Sequence, residues 1–148
     1  DDVLILLRPT APFRRPQDIA DCASLFRAVP EAHSVRSVLP VQVSTQKMYR
    51  ALGTECVRAS YEPVWLEPAT DRHRANHPRQ GLLDTYVACG FIDAVRADIA
   101  HTWLSLEGDR ILGWPAPTDR ALDLDTEADW ARAEALAAEK GWRPGEIT

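Results

Sequence analysis

The feature that most constrains this chain is an unbroken apolar run, V-L-I-L-L at residues 3–7, that stops at Arg8-Pro9. Such a run is typical of a strand buried on both faces, as in a parallel sheet. Proline has no N–H to donate to a neighbouring strand, so the strand ends there. A strand buried on both faces needs neighbours on both sides. We therefore expect the chain to be the later part of a larger α/β domain whose earlier strands are missing.

The patterns that follow alternate between helix and strand. Apolar residues at helical spacing predict a helix over residues 16–29, with Pro16 in its first turn. Strands are predicted at 34–39, 47–52, 56–59, 86–95 and 111–114, and a short helix at 97–104. The last helix has Thr126 as its cap and Gly141 as its stop. This order predicts an α/β layer fold.

Composition narrows the class of protein. The 148 residues carry a net charge of −5, which disfavours nucleic acid as a partner because that binding relies on Lys and Arg. No segment approaches the roughly 18 apolar residues that span a bilayer. Cys22, Cys56 and Cys89 are widely spaced and form no CxxC pair, so we expect free cysteines in a reducing, cytoplasmic compartment.

Asp123 and Asp125 are the first candidates for chemistry. Residues two apart on an extended segment point the same way, so both carboxylates would face one spot, and two hard oxygen ligands suit Mg²⁺. One alternative is that they are acids with only local hydrogen bonds before a helix. Another is the D-x-D pair of haloacid-dehalogenase-type phosphatases, which is disfavoured because that pair normally closes the first buried strand.

Basic residues mark further candidates. Arg8 and Arg14 flank a loop at the carboxyl end of the first strand, where α/β sheets bind ligands, and could hold a carboxylate or phosphate. The alternative is a proline-stiffened loop with a surface salt bridge. His73 and His77 have the spacing of a metal pair, but Pro78 argues against a continuous helix there. No Walker motif, GxGxxG or Ser-His-Asp order is present.

Five segments, in this order, carry a resemblance: R-P-T-A-P-F-R at 8–14, S-V-R-S-V at 34–38, K-M at 47–48, P-R-Q-G-L-L at 78–83 and L-D-L-D-T-E-A-D-W at 122–130. They resemble the patterns Q-P-T-S-P-[LF]-R, S-V-x-S-V, K-[MT], P-R-Q-x-L-P and I-D-I-D-[ST]-x-x-D-[LFW] of the acylneuraminate cytidylyltransferases, the CMP-sialic acid synthetases. The likeness is spread over nearly the whole chain.

The resemblance implies a Rossmann-like, mixed and mainly parallel sheet with helices on both faces, in one partial domain (1–148) with a dimerisation arm at about 40–82. It implies transfer of CMP from CTP to the anomeric hydroxyl of a nonulosonic sugar acid, releasing pyrophosphate. Asp123 and Asp125 would be catalytic and hold Mg²⁺, which neutralises phosphate charge. In a homodimer the arm would supply Lys47 and Arg79 to the neighbouring subunit. The implied substrate-binding residues are Arg8, Arg14, Lys47, Arg79 and Gln80.

Three departures from the family pattern keep alternatives open. The family's first Gln is Arg8 here, and its N-G-A-I-Y strand is matched by C-G-F-I-D at 89–93. Its P-A-R-x-G-S-K loop, which grips the CTP phosphates, has no counterpart in this chain. We therefore also consider a nucleotidyltransferase for a different sugar and a non-catalytic interaction module. The fragment alone is expected to be inactive, to bind CTP poorly and to expose an apolar sheet edge.

Overall fold

A computed structural model describes residues 2–41, 43–51, 66–68, 78, 80 and 84–142. The chain divides into two compact units, one formed by residues 1–39 and 88–148 and the other by residues 40–87. Within the described ranges, no helix has the length and apolar character needed to cross a bilayer.

The first unit is built on a sheet of four strands within the described residues: β1 (Val3–Leu6), β2 (Ser34–Pro40), β5 (Tyr86–Arg96) and β6 (Ile111–Pro115). They lie in the order β1-β5-β2-β6. β1 pairs antiparallel with β5, with Leu4 opposite Val95, and β2 pairs parallel with β6, with Val35 opposite Leu112. The sheet is therefore mixed, as predicted. The expectation that it is mainly parallel is wrong, because β5 runs antiparallel to β1 and, as its contacts with β2 show, to β2 as well.

Contacts between β2 and β5 show the direction of the central pair. The Arg96 amide donates to the His33 carbonyl at 3.0 Å, and the Ile92 amide donates to Ser37 Oγ at 2.8 Å. The contacts advance along β2 while they go back along β5, as they do between antiparallel strands. Strands β1, β2 and β6 thus run the same way, and their carboxyl ends lie at one edge of the sheet.

Strand β1 is the apolar sheet edge that the sequence analysis expected this chain to expose: Leu4, Ile5 and Leu6 are 51%, 37% and 44% exposed. Its burial on both faces stays a prediction, whereas the expected parallel setting is wrong for its one described neighbour, because β1 pairs antiparallel with β5. Within the described residues, β1 is an edge strand that pairs with β5 alone. An apolar run predicts that a strand forms, but it cannot specify how many neighbours that strand has.

In the described part of the chain, three helices accompany the sheet: α1 (Pro16–Ala28), α2 (Ala97–Trp103) and α3 (Glu127–Lys140). In α3, Thr126 Oγ1 accepts from the Asp129 amide and Gly141 ends the helix in the left-handed region, both as predicted. Cys22 of α1 is fully buried in a core with Phe26, Val35 and Phe91. Residues 91–95 of β5 are all buried, so β5 is the centre of the unit.

One arginine joins α1 to the sheet. The Arg96 guanidinium donates to the carbonyl oxygens of Ala32 (2.8 Å), Pro30 (2.7 Å) and Phe26 (3.3 Å) at the end of the helix. Its central carbon also lies 5.3 Å from the centre of the Phe26 ring. These contacts satisfy carbonyls that the helix end leaves free and hold α1 at the amino-terminal end of β2.

The second unit contains a two-stranded antiparallel sheet of β3 (Tyr49–Ala51) and β4 (Leu66–Pro68), preceded by a single 3-10 turn at Thr45–Lys47. A strand was predicted at 47–52, and the structure begins it at Tyr49. The strand predicted at 56–59 and its hairpin turn at Gly53-Thr54 lie outside the described residues.

Candidate functional site

The loop after β1, residues 8–14, is held in place by hydrogen bonds and by buried side chains of its own. The Ala11 amide donates to the Arg8 carbonyl at 3.2 Å, and the side chains of Ala11 and Phe13 are buried beneath it. The two terminal nitrogens of Arg14 donate to the backbone carbonyls of Phe91 (2.8 Å) and Arg8. Burial lowers the pKa of Arg14. The predicted substrate-binding Arg14 therefore fastens the loop to β5.

Arg8 is held differently. Its side chain crosses Gly90, where an added Cβ would lie 3.1 Å from Nη1 and 3.2 Å from Cδ. Gly90 also has a φ of +65°, a conformation that L-residues with side chains adopt at a cost. Arg8 Nη2 then reaches Asp93 Oδ2 at 3.5 Å, while 46% of the Arg8 side chain stays exposed. A glycine and a carboxylate thus set the direction of a half-exposed guanidinium.

Asp93 joins two arginines. Its Oδ2 faces Arg8, and its Oδ1 accepts from Arg36 Nε at 3.3 Å. Arg36 also donates through Nη1 to Glu107. The side chain of Asp93 is 9% exposed, so this carboxylate needs the positive charges around it to offset its desolvation. Among the described residues, Arg36 contacts two carboxylates, whereas Arg8 contacts one.

A backbone hydrogen bond links the loop after β1 to the Asp-x-Asp segment. The Leu124 amide donates to the Thr10 carbonyl at 2.9 Å. Leu124 stands between Asp123 and Asp125, so both carboxylates are carried on a segment fixed against that loop. Two of the motifs singled out in the sequence are therefore brought together at the carboxyl edge of the sheet.

The two carboxylates differ in their surroundings. Asp125 is exposed, whereas Asp123 is half-buried and its Oδ1 is buried with no hydrogen-bond partner in the described structure. A buried carboxylate oxygen without a partner is costly unless a cation or a donor meets it. No cluster of three His, Cys, Asp or Glu that could hold a metal occurs within the described residues. Mg²⁺ binds through one or two carboxylates together with waters and phosphate oxygens, so the ligand chemistry of Asp123 and Asp125 suits that ion.

A buried ion pair supports the turn before Asp123. Arg120 donates to Asp18 through both terminal nitrogens, at 2.5 and 2.8 Å, and to the Phe13 carbonyl at 3.1 Å. Asp18 also accepts from the Arg15 amide at 2.7 Å. Burial raises the pKa of Asp18, but the Arg120 and Arg15 contacts outweigh it and hold that pKa below its usual value. The Asp18 hydrogen bond correspondingly raises the pKa of Arg120. The pair connects α1, the loop after β1 and the turn that leads to Asp123.

The remaining predicted residues lie in the second unit. Lys47 is exposed at the end of the 3-10 turn, and Gln80 is exposed. Arg79, His73, His77 and Cys56 lie outside the described residues. The substrate roles of Lys47, Arg79 and Gln80 stay predictions.

Sequence reasoning missed the charged residues that support the site, namely Asp18, Arg36, Asp93 and Arg120. Asp93 offered a signal, because a carboxylate inside an otherwise apolar strand needs a cationic partner when buried. Asp18 offered another, as an acid in the first turn of a predicted helix. Neither signal identifies its arginine, since the partners are 57 to 102 positions away in the sequence.

No protein-family model matches this chain, and no curated protein matches it.

Proposed function

We propose that this chain carries the sugar and metal side of a cytidylyltransferase site that transfers CMP from CTP to a nonulosonic sugar acid, with release of pyrophosphate. The observation that carries the proposal is the Thr10–Leu124 hydrogen bond, because it joins the loop and the Asp-x-Asp segment that carry the sequence resemblance. The two segments are 114 positions apart, so the sequence order alone did not require their contact.

The donor set supports a magnesium role for the two aspartates. Asp123 offers a buried oxygen without a partner in the described structure, and Asp125 offers an exposed carboxylate. Mg²⁺ held there would supply positive charge to an α-phosphate under attack. The protein groups do the positioning: Arg120 and Asp18 hold the turn before Asp123, and Arg14 holds the facing loop.

Arg8 would meet the sugar, as the family position implies. A nucleotidyltransferase for a different acidic sugar is favoured by one observation. Arg8 and Asp93 stand where the family pattern has Gln and Tyr, and in this chain they contact each other. Two departures that form one ion pair indicate a changed substrate contact.

Pyrophosphate release tests the proposal. The protein translated from its complete reading frame is incubated with CTP, Mg²⁺ and each member of a panel of nonulosonic acids. We expect release that depends on both the metal and one acid, and no release with any acid would refute the assignment. Asp125→Asn should abolish turnover, whereas the exposed control Asp109→Asn should retain it.

The metal role has a readout that needs no turnover. Mn²⁺, a paramagnetic substitute for Mg²⁺, should broaden the backbone amide signals of residues 122–126 in a ¹⁵N spectrum. Asp125→Asn should remove most of this broadening, and Asp109→Asn should not. Equal broadening in the wild type and in Asp125→Asn would contradict the metal assignment.

A further inference from the structure

The loop between α2 and β6, residues 104–110, is closed onto the start of β2 through His33. The backbone of His33 is fixed on both sides, because its amide donates to the Arg110 carbonyl at 2.8 Å and its carbonyl accepts from the Arg96 amide at 3.0 Å. Its half-buried ring meets the Trp103 ring edge to face, with 5.3 Å between the ring centres. The imidazole is therefore held between α2, the sheet and the loop.

One hydrogen bond of the His33 ring requires a neutral imidazole. The Asp109 amide donates to His33 Nδ1 at 3.1 Å. A ring nitrogen accepts a hydrogen bond only while it carries no proton, so the single proton of the neutral ring is on Nε2. Protonation places a second N–H on the ring, at Nδ1, where it faces the Asp109 N–H. Because two donors cannot bond each other, the closed loop disfavours the charged ring.

Gly108 brings the loop backbone into direct contact with the same ring. A Cβ added at Gly108 would lie 2.7 Å from both Cβ and Nδ1 of His33, and the residue has a φ of +66°. A repulsion at Nδ1 therefore acts on the loop backbone and not on a flexible side chain. At the start of the loop, Leu104 has a φ of 50°, a left-handed conformation that is costly for a residue with a side chain. Opening of the loop can relieve that strain.

Glu107 connects the loop to the charged residues of the sheet. Its carboxylate pairs with Arg36, and its carbonyl accepts from Ser34 Oγ at 2.6 Å. Arg36 also donates through Nε to Asp93 at 3.3 Å. Movement of the loop away from β2 would separate Glu107 from Arg36 and would leave Arg36 with Asp93 as its carboxylate partner among the described residues.

We infer that the 104–110 loop is a pH-sensitive switch, closed while His33 is neutral and open when its ring is protonated. Histidine side chains change charge between about pH 5 and 8, so the switch operates near physiological pH. Lower pH favours the open loop, because only the neutral ring can accept from the Asp109 amide. The inference goes beyond the proposed function and does not rest on it, since no substrate, metal or turnover enters the argument.

Charged groups of both signs belong to the elements packed against the His33 ring. They are Glu31 before β2, Arg36 of β2, Arg96 of β5, Asp98 and His101 of α2, and Glu107, Asp109 and Arg110 of the loop. Among the described residues, none of these side chains forms an ion pair or a hydrogen bond with the imidazole, since Glu107 pairs with Arg36 and Arg96 donates to backbone carbonyls. The acids favour the charged ring and the bases oppose it, so together they affect the midpoint of the response. Its direction follows from the Asp109 amide, which is a donor at every pH in the range.

Hydrogen–deuterium exchange of the 148-residue chain, read by mass spectrometry, tests the inference. Peptides that cover residues 104–110 are compared at about pH 5 and about pH 8, with exposure times scaled to cancel the intrinsic pH dependence of amide exchange. We expect exchange about two- to tenfold faster at the lower pH, the effect of losing one hydrogen bond. Peptides of α3 should show no such change and serve as the internal reference. Equal scaled exchange of the loop at both pH values would overturn the inference.

Substitutions at the two contact positions identify the group that responds. His33→Asn keeps an acceptor at the δ position without a titrating ring, so its loop should exchange equally at both pH values. His101→Asn, at an exposed histidine of α2, is the matched control and should retain the wild-type response. Gly108→Ala should exchange fast at both pH values, because its Cβ pushes the loop from the ring, whereas Gly141→Ala, where a Cβ meets nothing within 4 Å, should not.

A retained pH response in His33→Asn, or a lost one in His101→Asn, would also overturn the inference. A measurement on the wild type keeps the test decisive if His33→Asn fails to fold. The ring signals of ¹³C-labelled His33 report its protonation directly, and the exchange of residues 104–110 should change with the same midpoint. Two different midpoints would show that the loop responds to another group.

Discussion

Removal of the Asp18 carboxylate should destabilise the first unit more than any surface substitution. Both partners of the Asp18–Arg120 pair are buried, at 6% and 8% exposure. In Asp18→Ala, Arg120 keeps the Phe13 carbonyl at 3.1 Å and the exposed Asp119 carboxylate at 4.0 Å, and the Arg15 amide loses its acceptor. Breaking a buried pair from one side costs about 3–5 kcal/mol, a large part of the roughly 5–15 kcal/mol that stabilises a typical domain.

Urea denaturation followed by tryptophan fluorescence measures this cost. Asp21→Asn is the matched control, since Asp21 is an exposed acid on the same helix and should change the free energy of unfolding by less than about 0.5 kcal/mol. The double variant Asp18→Ala with Arg120→Met should be more stable than Asp18→Ala alone, because it removes the uncompensated charge. An Asp18→Ala loss no larger than that of the Asp21 control would refute the reasoning.

The pair also predicts a pH dependence with a defined sign. The pKa of Asp18 is lowered in the folded state, so its stabilising contribution is present above the unfolded pKa of about 3.9 and is lost as pH falls through the folded pKa. Asp18→Asn lacks this titration. The stability difference between wild type and Asp18→Asn should therefore narrow as pH is lowered below about 4. A difference that stays constant or widens in that range would contradict the assignment.

Three further outcomes are expected. Gly90→Ala should cost more stability than Gly141→Ala, because both glycines have positive φ but only the Cβ at position 90 meets a neighbouring side chain; equal losses in urea denaturation would contradict this. Cys22, fully buried with its pKa raised to about 11 by burial and by a nearby carboxylate, should react with iodoacetamide at pH 8 far more slowly than the half-buried Cys89, as read by mass spectrometry. Thr126→Ala should lower the free energy of unfolding by about 1 kcal/mol, because the helix loses its cap. An unchanged free energy of unfolding would contradict the capping role of Thr126.

The sequence was sufficient to predict the helices whose ends are marked by residues within a single turn. The helix begun by Pro16 and the one capped by Thr126 were predicted to within a residue or two, because proline, cap and glycine signals act over a single turn. The antiparallel pairing of β1 with β5 was not predicted, because an apolar run carries no information about the number or the direction of the strands beside it.

For the candidate site as well, residue types were predictable from the sequence and contacts were not. Arg8, Arg14, Asp123 and Asp125 were identified because residue type and spacing are visible in the chain. That Arg14 bonds backbone carbonyls while Arg8 remains half-exposed was not predictable, since both are arginines at the ends of one loop. Only the three-dimensional position of Phe91 and Asp93 distinguishes them.

The hydrogen bond between Thr10 and Leu124 has an evolutionary consequence. Because it joins a backbone amide to a backbone carbonyl, neither side chain is needed for it. Side chains of both segments can therefore be substituted while the spacing between the loop and the carboxylates is kept by backbone atoms alone. Proline at position 124 is the exception, because it removes the donor. The relative position of the two segments thus depends on backbone atoms and not on the identity of the side chains that they carry.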